Sequence, residues 1–221
     1  MSHRKGVQEM VDFVKTGFEL AEKYRCPTML LADGAIGQMM EKVELFPQMA
    51  RKTEFPDWAT TGKPKNGERR IITSLFIKPE KMEQVNLGLQ RKYREIEKNE
   101  IRYKTLNTED ADYIFTGYGL GARICTKAME LGREKGFKIG LVRPLTLWPF
   151  PKQIYFDLSK KIKGILDVEL NAGQMVEDVR LSVQGNTRVE FFGRMGGMIP
   201  TPDDILAKFE ELFISRGGNH V

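Results

Sequence analysis

The stretch Thr116–Ala122, TGYGLGA, follows the apolar-aromatic run DYIF and opens the helix-like run RICTKAMELGREKG. Gly117 and Gly119 with Ala122 fit the relaxed dinucleotide spacing G-x-G-x-x-G/A. In such a loop the glycines let the backbone approach a pyrophosphate held at a helix N-terminus. The same small residues, Gly117, Gly119 and Gly121, also let a helix and a strand approach closely with no ligand at all. A dinucleotide site further needs an acid at the end of the next strand, for the ribose. Here that strand ends near Val142 and delivers Arg143-Pro144. An arginine suits a 2′-phosphate, which leaves NADP open, yet Pro144, Pro149 and Pro151 stiffen the crevice where an adenine would lie. The steric reading is preferred.

Other chemistry has little to work with. The two histidines, His3 and His220, stand near the two ends, which argues against a histidine triad or a histidine metal site. Cys26 and Cys125 have no partner at metal or redox-motif spacing and suit a reducing cytoplasm. No nucleophile elbow, P-loop lysine or calcium-loop spacing occurs. Asp167 and Glu169 stand two apart on a predicted strand and so share a face.

The elements that must position these residues follow from periodicity. Val7, Met10, Val11, Val14, Phe18 and Ala21 recur at helical spacing, with Glu9, Lys15, Glu22 and Lys23 on the other face. After Pro27, TMLLA (28–32) reads as a short buried strand ending at Asp33-Gly34, and Ile36, Met39, Met40 and Val43 suggest a helical turn or two. Residues 46–78 read as a linker rich in Pro and Gly. From Pro79 a charged helix carries one stripe, Met82, Val85, Leu89, Tyr93 and Ile96, too short for a coiled coil. Beyond Thr108 strands and helices alternate: strands 112–117, 137–144, 164–170 and 188–193, helices 121–135, one through Lys161, 173–184 and 202–213. Short connections of this kind predict an α/β fold with a doubly wound, mostly parallel sheet. Thr201 is the expected N-cap of the last helix, with Pro202 at its first position, and the RGGNH run is expected to stop it.

The composition fits a soluble intracellular protein. The 221 residues hold 35 basic and 30 acidic side chains, a net charge of +5 that describes a solvated surface rather than a nucleic-acid face. The densest basic run, GKPKNGERR (62–70), lacks aromatics for base stacking and reads as a mobile loop. The start, MSHRKGVQEM, has no apolar signal region, and no apolar run is long enough to span a bilayer.

Several phrases carry a resemblance. VQEMVDF…FELAEKYRCPTMLLADGAIGQMMEKVEL (7–45) resembles the closing part of the first, pyrimidine-type domain of the α subunit of 2-oxoacid:ferredoxin oxidoreductases. YIFTGYGLGARICTKAMELGREKGFKIGLVRPLTLWPFP, ELNAGQMVEDVRL and FFGRMGGMIPTPDDIL resemble their second domain, which is similar to the C-terminal domain of transketolase. The branched-chain (2-oxoisovalerate, VorB) type is nearest in character, with the 2-oxoglutarate type next. The resemblance divides the chain into 1–45, a remnant of the first domain, 46–78, a linker, and 79–221, the second domain with a leading helix.

In that family a 2-oxoacid, coenzyme A and oxidised ferredoxin give acyl-CoA, carbon dioxide and reduced ferredoxin. The resemblance implies thiamine diphosphate, magnesium and iron–sulfur clusters in the complex and none of them on this chain. It implies a β subunit, and γ or δ subunits, as partners, with no nucleic acid and no membrane. A carboxylate early in the first domain activates the cofactor, and it has no counterpart here. No catalytic residue is therefore carried over, and the isolated chain is expected to be inactive. The resemblance assigns the glycine turn to packing and the chain to structure and assembly, with Asn171, Gln174 and Arg194 as candidate subunit contacts. It also implies exposed apolar surface on 7–45, where one helix and one strand stand apart from their sheet. A non-catalytic interaction or regulatory domain on the same fold is the alternative, with a small NADP-binding protein behind it.

Overall fold

The computed structural model describes residues 6–48, 53–56, 58–63, 67–69 and 71–215. His3, His220, the RGGNH run and part of the 62–70 basic run lie outside them. Residues up to Val43 together with Ile96 onward form one compact unit, and Glu44–Glu95 form a second.

The larger unit is built on five strands. They are β1 (Tyr103–Leu106), β2 (Tyr113–Thr116), β3 (Ile139–Pro144), β4 (Gly164–Glu169) and β5 (Arg188–Gly193), in the spatial order β1-β3-β2-β4-β5. β2, β3, β4 and β5 run parallel, and β1 is antiparallel to β3, with Lys104 opposite Arg143. The expected mostly parallel sheet is present. The antiparallel edge was not anticipated, because β1 has four residues and exposes three of them, leaving no apolar alternation to read.

Crossover helices cover both faces, as parallel strands require. On one face α4 (Gly119–Glu134) and α7 (Pro202–Phe209) bury Cys125, Ala128, Met129, Ile205 and Phe209 against Phe115, Leu141, Leu166 and Val168. The Phe209 ring meets Tyr113, Phe115 and Phe137 edge-on at 5.0, 5.5 and 5.4 Å, the arrangement aromatic quadrupoles favour. On the other face α5 (Lys152–Ser159) and α6 (Met175–Val183) bury Tyr155, Leu158, Met175 and Val179 against Ile114, Val142 and Ile165. Thr201 caps α7 as expected, in a reciprocal box with Asp204. The chain then widens into a π-type turn, Glu210–Ile214.

Three expectations before the sheet need correction. Residues 28–32 do not form a buried strand. No strand of the sheet pairs with them, and Met29 and Leu31 are 81% and 61% exposed. A strand without a neighbour has no ladder to satisfy its backbone. The helix α1 (Val7–Tyr24) forms, but its polar face is not wholly solvated: Gln8, Glu9 and Tyr24 are buried, while Val14 and Phe18 of the apolar stripe are exposed, in line with the apolar surface expected on 7–45. The following helix, α2, is only Gly34–Gln38, and Met40 beyond it is exposed.

In the second unit the described residues before Lys78 have no helix or strand. The charged helix α3 (Pro79–Asn99) begins there, with Val85, Leu89 and Tyr93 half-buried on the expected stripe. Its last turn, from Ile96, belongs to the larger unit.

Candidate functional site

The carboxyl ends of β2, β4 and β5 gather the residues singled out from the sequence. β2 runs into the glycine turn, where small size is required at each of three positions. A Cβ on Gly117 or Gly121 would stand 2.9 or 3.0 Å from the Val168 carbonyl oxygen of β4. Gly119 has φ +53°, and a Cβ there would meet Asp33 Oδ2 at 2.7 Å.

Asp33 answers the question raised by the glycine spacing. Its Oδ2 accepts the Leu120 N–H at 2.9 Å, at the start of α4, while its Oδ1 accepts the Ile36 N–H at 2.8 Å and caps α2. The helix N-terminus that a dinucleotide site would offer to a pyrophosphate already holds an intramolecular anion. Arg143, the candidate for a 2′-phosphate, is buried against Glu9 of α1. The sequence reading had placed Glu9 on the face of α1 opposite the apolar stripe. It lies instead against Lys104 (3.1 Å) and Arg143, two cations directly opposite each other on β1 and β3. Like charges so placed repel, and the carboxylate between them removes that cost. Periodicity could not find this, because a charge at a helical position reads as solvated until its partners are known.

A second carboxylate fastens the other end of α1. Glu100 accepts hydrogen bonds from Tyr24 Oη (2.6 Å), Lys23 Nζ (2.8 Å) and Arg102 Nη2 (3.0 Å). Burial pushes the Glu100 carboxyl up, but the bonds from Lys23 and Tyr24 outweigh it and the net shift is downward. Glu41 adds a third tie, accepting from Arg123 of α4 at 2.7 Å and from the Val7 N–H at 3.2 Å.

At the end of β4, Glu169 accepts the backbone N–H groups of Gln174, Met175 and Val176 at 3.1, 3.0 and 3.0 Å and so closes the start of α6. Asn171 donates from Nδ2 to Glu169 and to Tyr118 Oη (3.0 and 2.9 Å), and its Oδ1 accepts the Gly173 N–H. Burial, then the Glu169 charge, push the half-buried Tyr118 hydroxyl up. The Arg194 N–H donates to the Glu169 carbonyl at 3.1 Å. Asn171, Gln174 and Arg194 therefore lie together at one edge, with Gln174 exposed. Asp167, two residues before Glu169, is fully buried and neither of its oxygens makes a hydrogen bond; burial, then the Glu169 charge, push its carboxyl well above the usual range.

Beside this edge is an open cavity of about 760 Å³. Phe18, Met29, Leu31, Leu147 and Trp148 give it apolar walls, Tyr24, Glu100 and Arg102 supply polar groups, and Tyr118 and Gly119 join it to the glycine turn.

Comparison with known proteins places this arrangement. Residues 1–107 match the family described as "Pyruvate flavodoxin/ferredoxin oxidoreductase, thiamine diP-bdg", and residues 111–205 match "Pyruvate:ferredoxin oxidoreductase core domain II". The chain is 39% identical over 208 residues to ketoisovalerate oxidoreductase subunit VorB of Methanothermobacter marburgensis, covering 93% of this chain and 58% of that protein. The chain belongs to the 2-oxoacid:ferredoxin oxidoreductase α-subunit family. Within that family it is VorB-like: 2-oxoglutarate synthase subunit KorA of Methanocaldococcus jannaschii is 30% identical over 223 residues, covering 90% of this chain and 60% of that protein. The fold matches a chain of the 2-oxoglutarate:ferredoxin oxidoreductase from Magnetococcus marinus with a TM-score of 0.73 and 20% identity, over 94% of this chain and 41% of that one. The chain spans 58% of the length of the VorB relatives it matches.

One matching family description names thiamine diphosphate. The start of α4 does not fit a diphosphate, because Asp33 holds a carboxylate there that would repel it. Among the described residues no group of three or more His, Cys, Asp or Glu could hold a metal ion. Among the described residues, too, no helix is long and apolar enough to cross a membrane.

Proposed function

We propose that this chain works as α-subunit material in a VorB-type 2-oxoacid:ferredoxin oxidoreductase, and that its own share of the work is structural, holding subunits together. In the complex a 2-oxoacid and coenzyme A give an acyl thioester and carbon dioxide, and the two electrons released reduce ferredoxin. Thiamine diphosphate, magnesium and iron–sulfur clusters belong to that complex, and the residues described here supply none of their ligands in this reading. The complex works in the cytoplasm, where Cys26 and Cys125 remain thiols.

The observation that carries the proposal is the unspent apolar surface around the cavity. Phe18 is 68% exposed, and Met29, Leu31 and Trp148 are exposed with it on the same walls. Contiguous apolar surface of this kind marks an interaction site. The edge formed by Asn171, Gln174 and Arg194 is the second contact in this reading, at the carboxyl end of the sheet where open α/β folds meet their partners.

Co-expression with the β subunit tests the proposal. The expected result is co-purification of the two chains and 2-oxoisovalerate-dependent ferredoxin reduction only in the assembled preparation. Calorimetry on the chain alone is expected to show no thiamine diphosphate binding. Failure to retain the β subunit under any of these conditions would leave a free-standing regulatory module as the correct reading.

A further inference from the structure

Charge is unevenly placed at the cavity beside the glycine turn. Among the described residues, two charged side chains line it, Glu100 and Arg102, and Lys23 meets Glu100 from the end of α1. Glu100 is the enclosed member at 7% exposure, and Tyr24 Oη, Lys23 Nζ and Arg102 Nη2 all donate to it. Its two cations are far more open, the side chains of Lys23 and Arg102 being 55% and 38% exposed. Two positive charges thus answer one buried negative charge, and the surplus faces outward.

Arg102 also has donors left over. A guanidinium carries five N–H donors and no acceptor. Arg102 reaches Glu100 through Nη2, while its Nε and Nη1 make no hydrogen bond among the described residues. The backbone beneath it is held fast. The Arg102 N–H donates to Thr146 Oγ1 at 3.0 Å, and its carbonyl accepts the Leu145 and Thr146 N–H groups at 2.9 and 3.1 Å. The guanidinium therefore stands on a fixed base, in the same cavity as the Leu147 and Trp148 walls. Whatever covers those walls also takes these donors out of water. A wholly apolar cover would leave them unsatisfied, at the full desolvation penalty, and a basic cover would meet like charge.

We propose that the β-subunit surface seated in this cavity is an apolar segment bearing one carboxylate, Asp or Glu. The carboxylate pairs with Arg102 in a charge-assisted hydrogen bond, and the apolar side chains beside it pack on Phe18, Leu31 and Trp148. The partner is thereby defined by its chemistry, an acid set within an apolar stretch. The inference rests on the subunit-docking reading above and adds to it where the β subunit sits and what it must carry.

The full chain, co-expressed with the β subunit, tests it. Arg102→Gln keeps a donor for Glu100 and removes the charge. The dissociation constant for the β subunit is expected to rise about tenfold or more, with the melting temperature of the free chain little changed. Arg102→Lys restores the charge and is expected to recover part of the affinity. Its amine is also a reporter, because a carbodiimide joins an amine to a carboxylate it touches. The link from position 102 is expected to fall on an Asp or Glu within an apolar stretch of the β subunit, read by mass spectrometry. Unchanged β-subunit affinity in Arg102→Gln, or absence of a β-subunit link from Arg102→Lys, overturns the inference and leaves the subunit reading standing. A wild-type chain that does not retain the β subunit overturns both.

Discussion

The Asp33 carboxylate accepts the Leu120 N–H at 2.9 Å, so an internal anion occupies the start of α4, the place a dinucleotide-type glycine turn offers to a phosphate. Because the same side chain caps α2 through Ile36, Asp33→Ala removes two bonds at once. The expected loss is about 1–3 kcal/mol in urea unfolding. Asp33→Asn is expected to recover only part of it, since the amide oxygen still accepts one N–H while the amide nitrogen, a donor, faces the other. NADP(H) binding by calorimetry is expected to be absent in all three proteins.

Gly119→Ala attacks the same junction from the other side. The substitution places a methyl group 2.7 Å from Asp33 Oδ2 on a residue with positive φ, so both strain and collision oppose it. Its expected cost is about 1–3 kcal/mol, read from the urea midpoint.

Removing Glu9 leaves Lys104 and Arg143 facing each other on adjacent strands. Arg143 is buried, so Glu9→Gln is expected to cost about 3–5 kcal/mol by chemical denaturation. A double change, Glu9→Leu with Arg143→Met, is expected to restore much of the stability, because it removes the stranded charge along with its partner.

Glu100 sets an acid limit. Its folded pKa lies below the unfolded value of about 4.3, so the stability it contributes is present above that value and is lost as pH falls through the folded pKa. Thermal melts below about pH 4 are expected to show that loss, and Glu100→Gln to flatten it while lowering stability at neutral pH. Asp110 and Glu41, held low by Arg133 and Arg123, act in the same direction, but solvent screens both pairs.

At the proposed subunit edge, Gln174→Ala and Arg194→Ala are expected to weaken retention of the β subunit in a pull-down. Melting temperature is expected to stay within a degree or two, since Gln174 is exposed and the Arg194 bond to Glu169 comes from the backbone.

The alternation of strands and helices from residue 112 onward, the mostly parallel sheet and the Thr201 cap were legible from residue types. Each depends on interactions within a few positions of the chain, such as apolar periodicity, a side-chain oxygen near an N–H, or a proline at a helix start. The glycine turn was legible as a close approach, though not what it approaches.

What the residue order left open was every polar contact between distant segments. Asp33 reads as the end of a strand, Glu9 as a solvated charge, and Asp167 as one of two acids on a face. Their roles come from partners 87 and 134 positions away for Asp33 and Glu9, and from enclosure on all sides for Asp167. A charged side chain takes its energy from the dielectric and the groups around it, and those exist only once the chain has folded. The apolar run at 28–32 shows the converse: its residue types favour a strand, but a strand needs a neighbour, and the sheet formed here provides none.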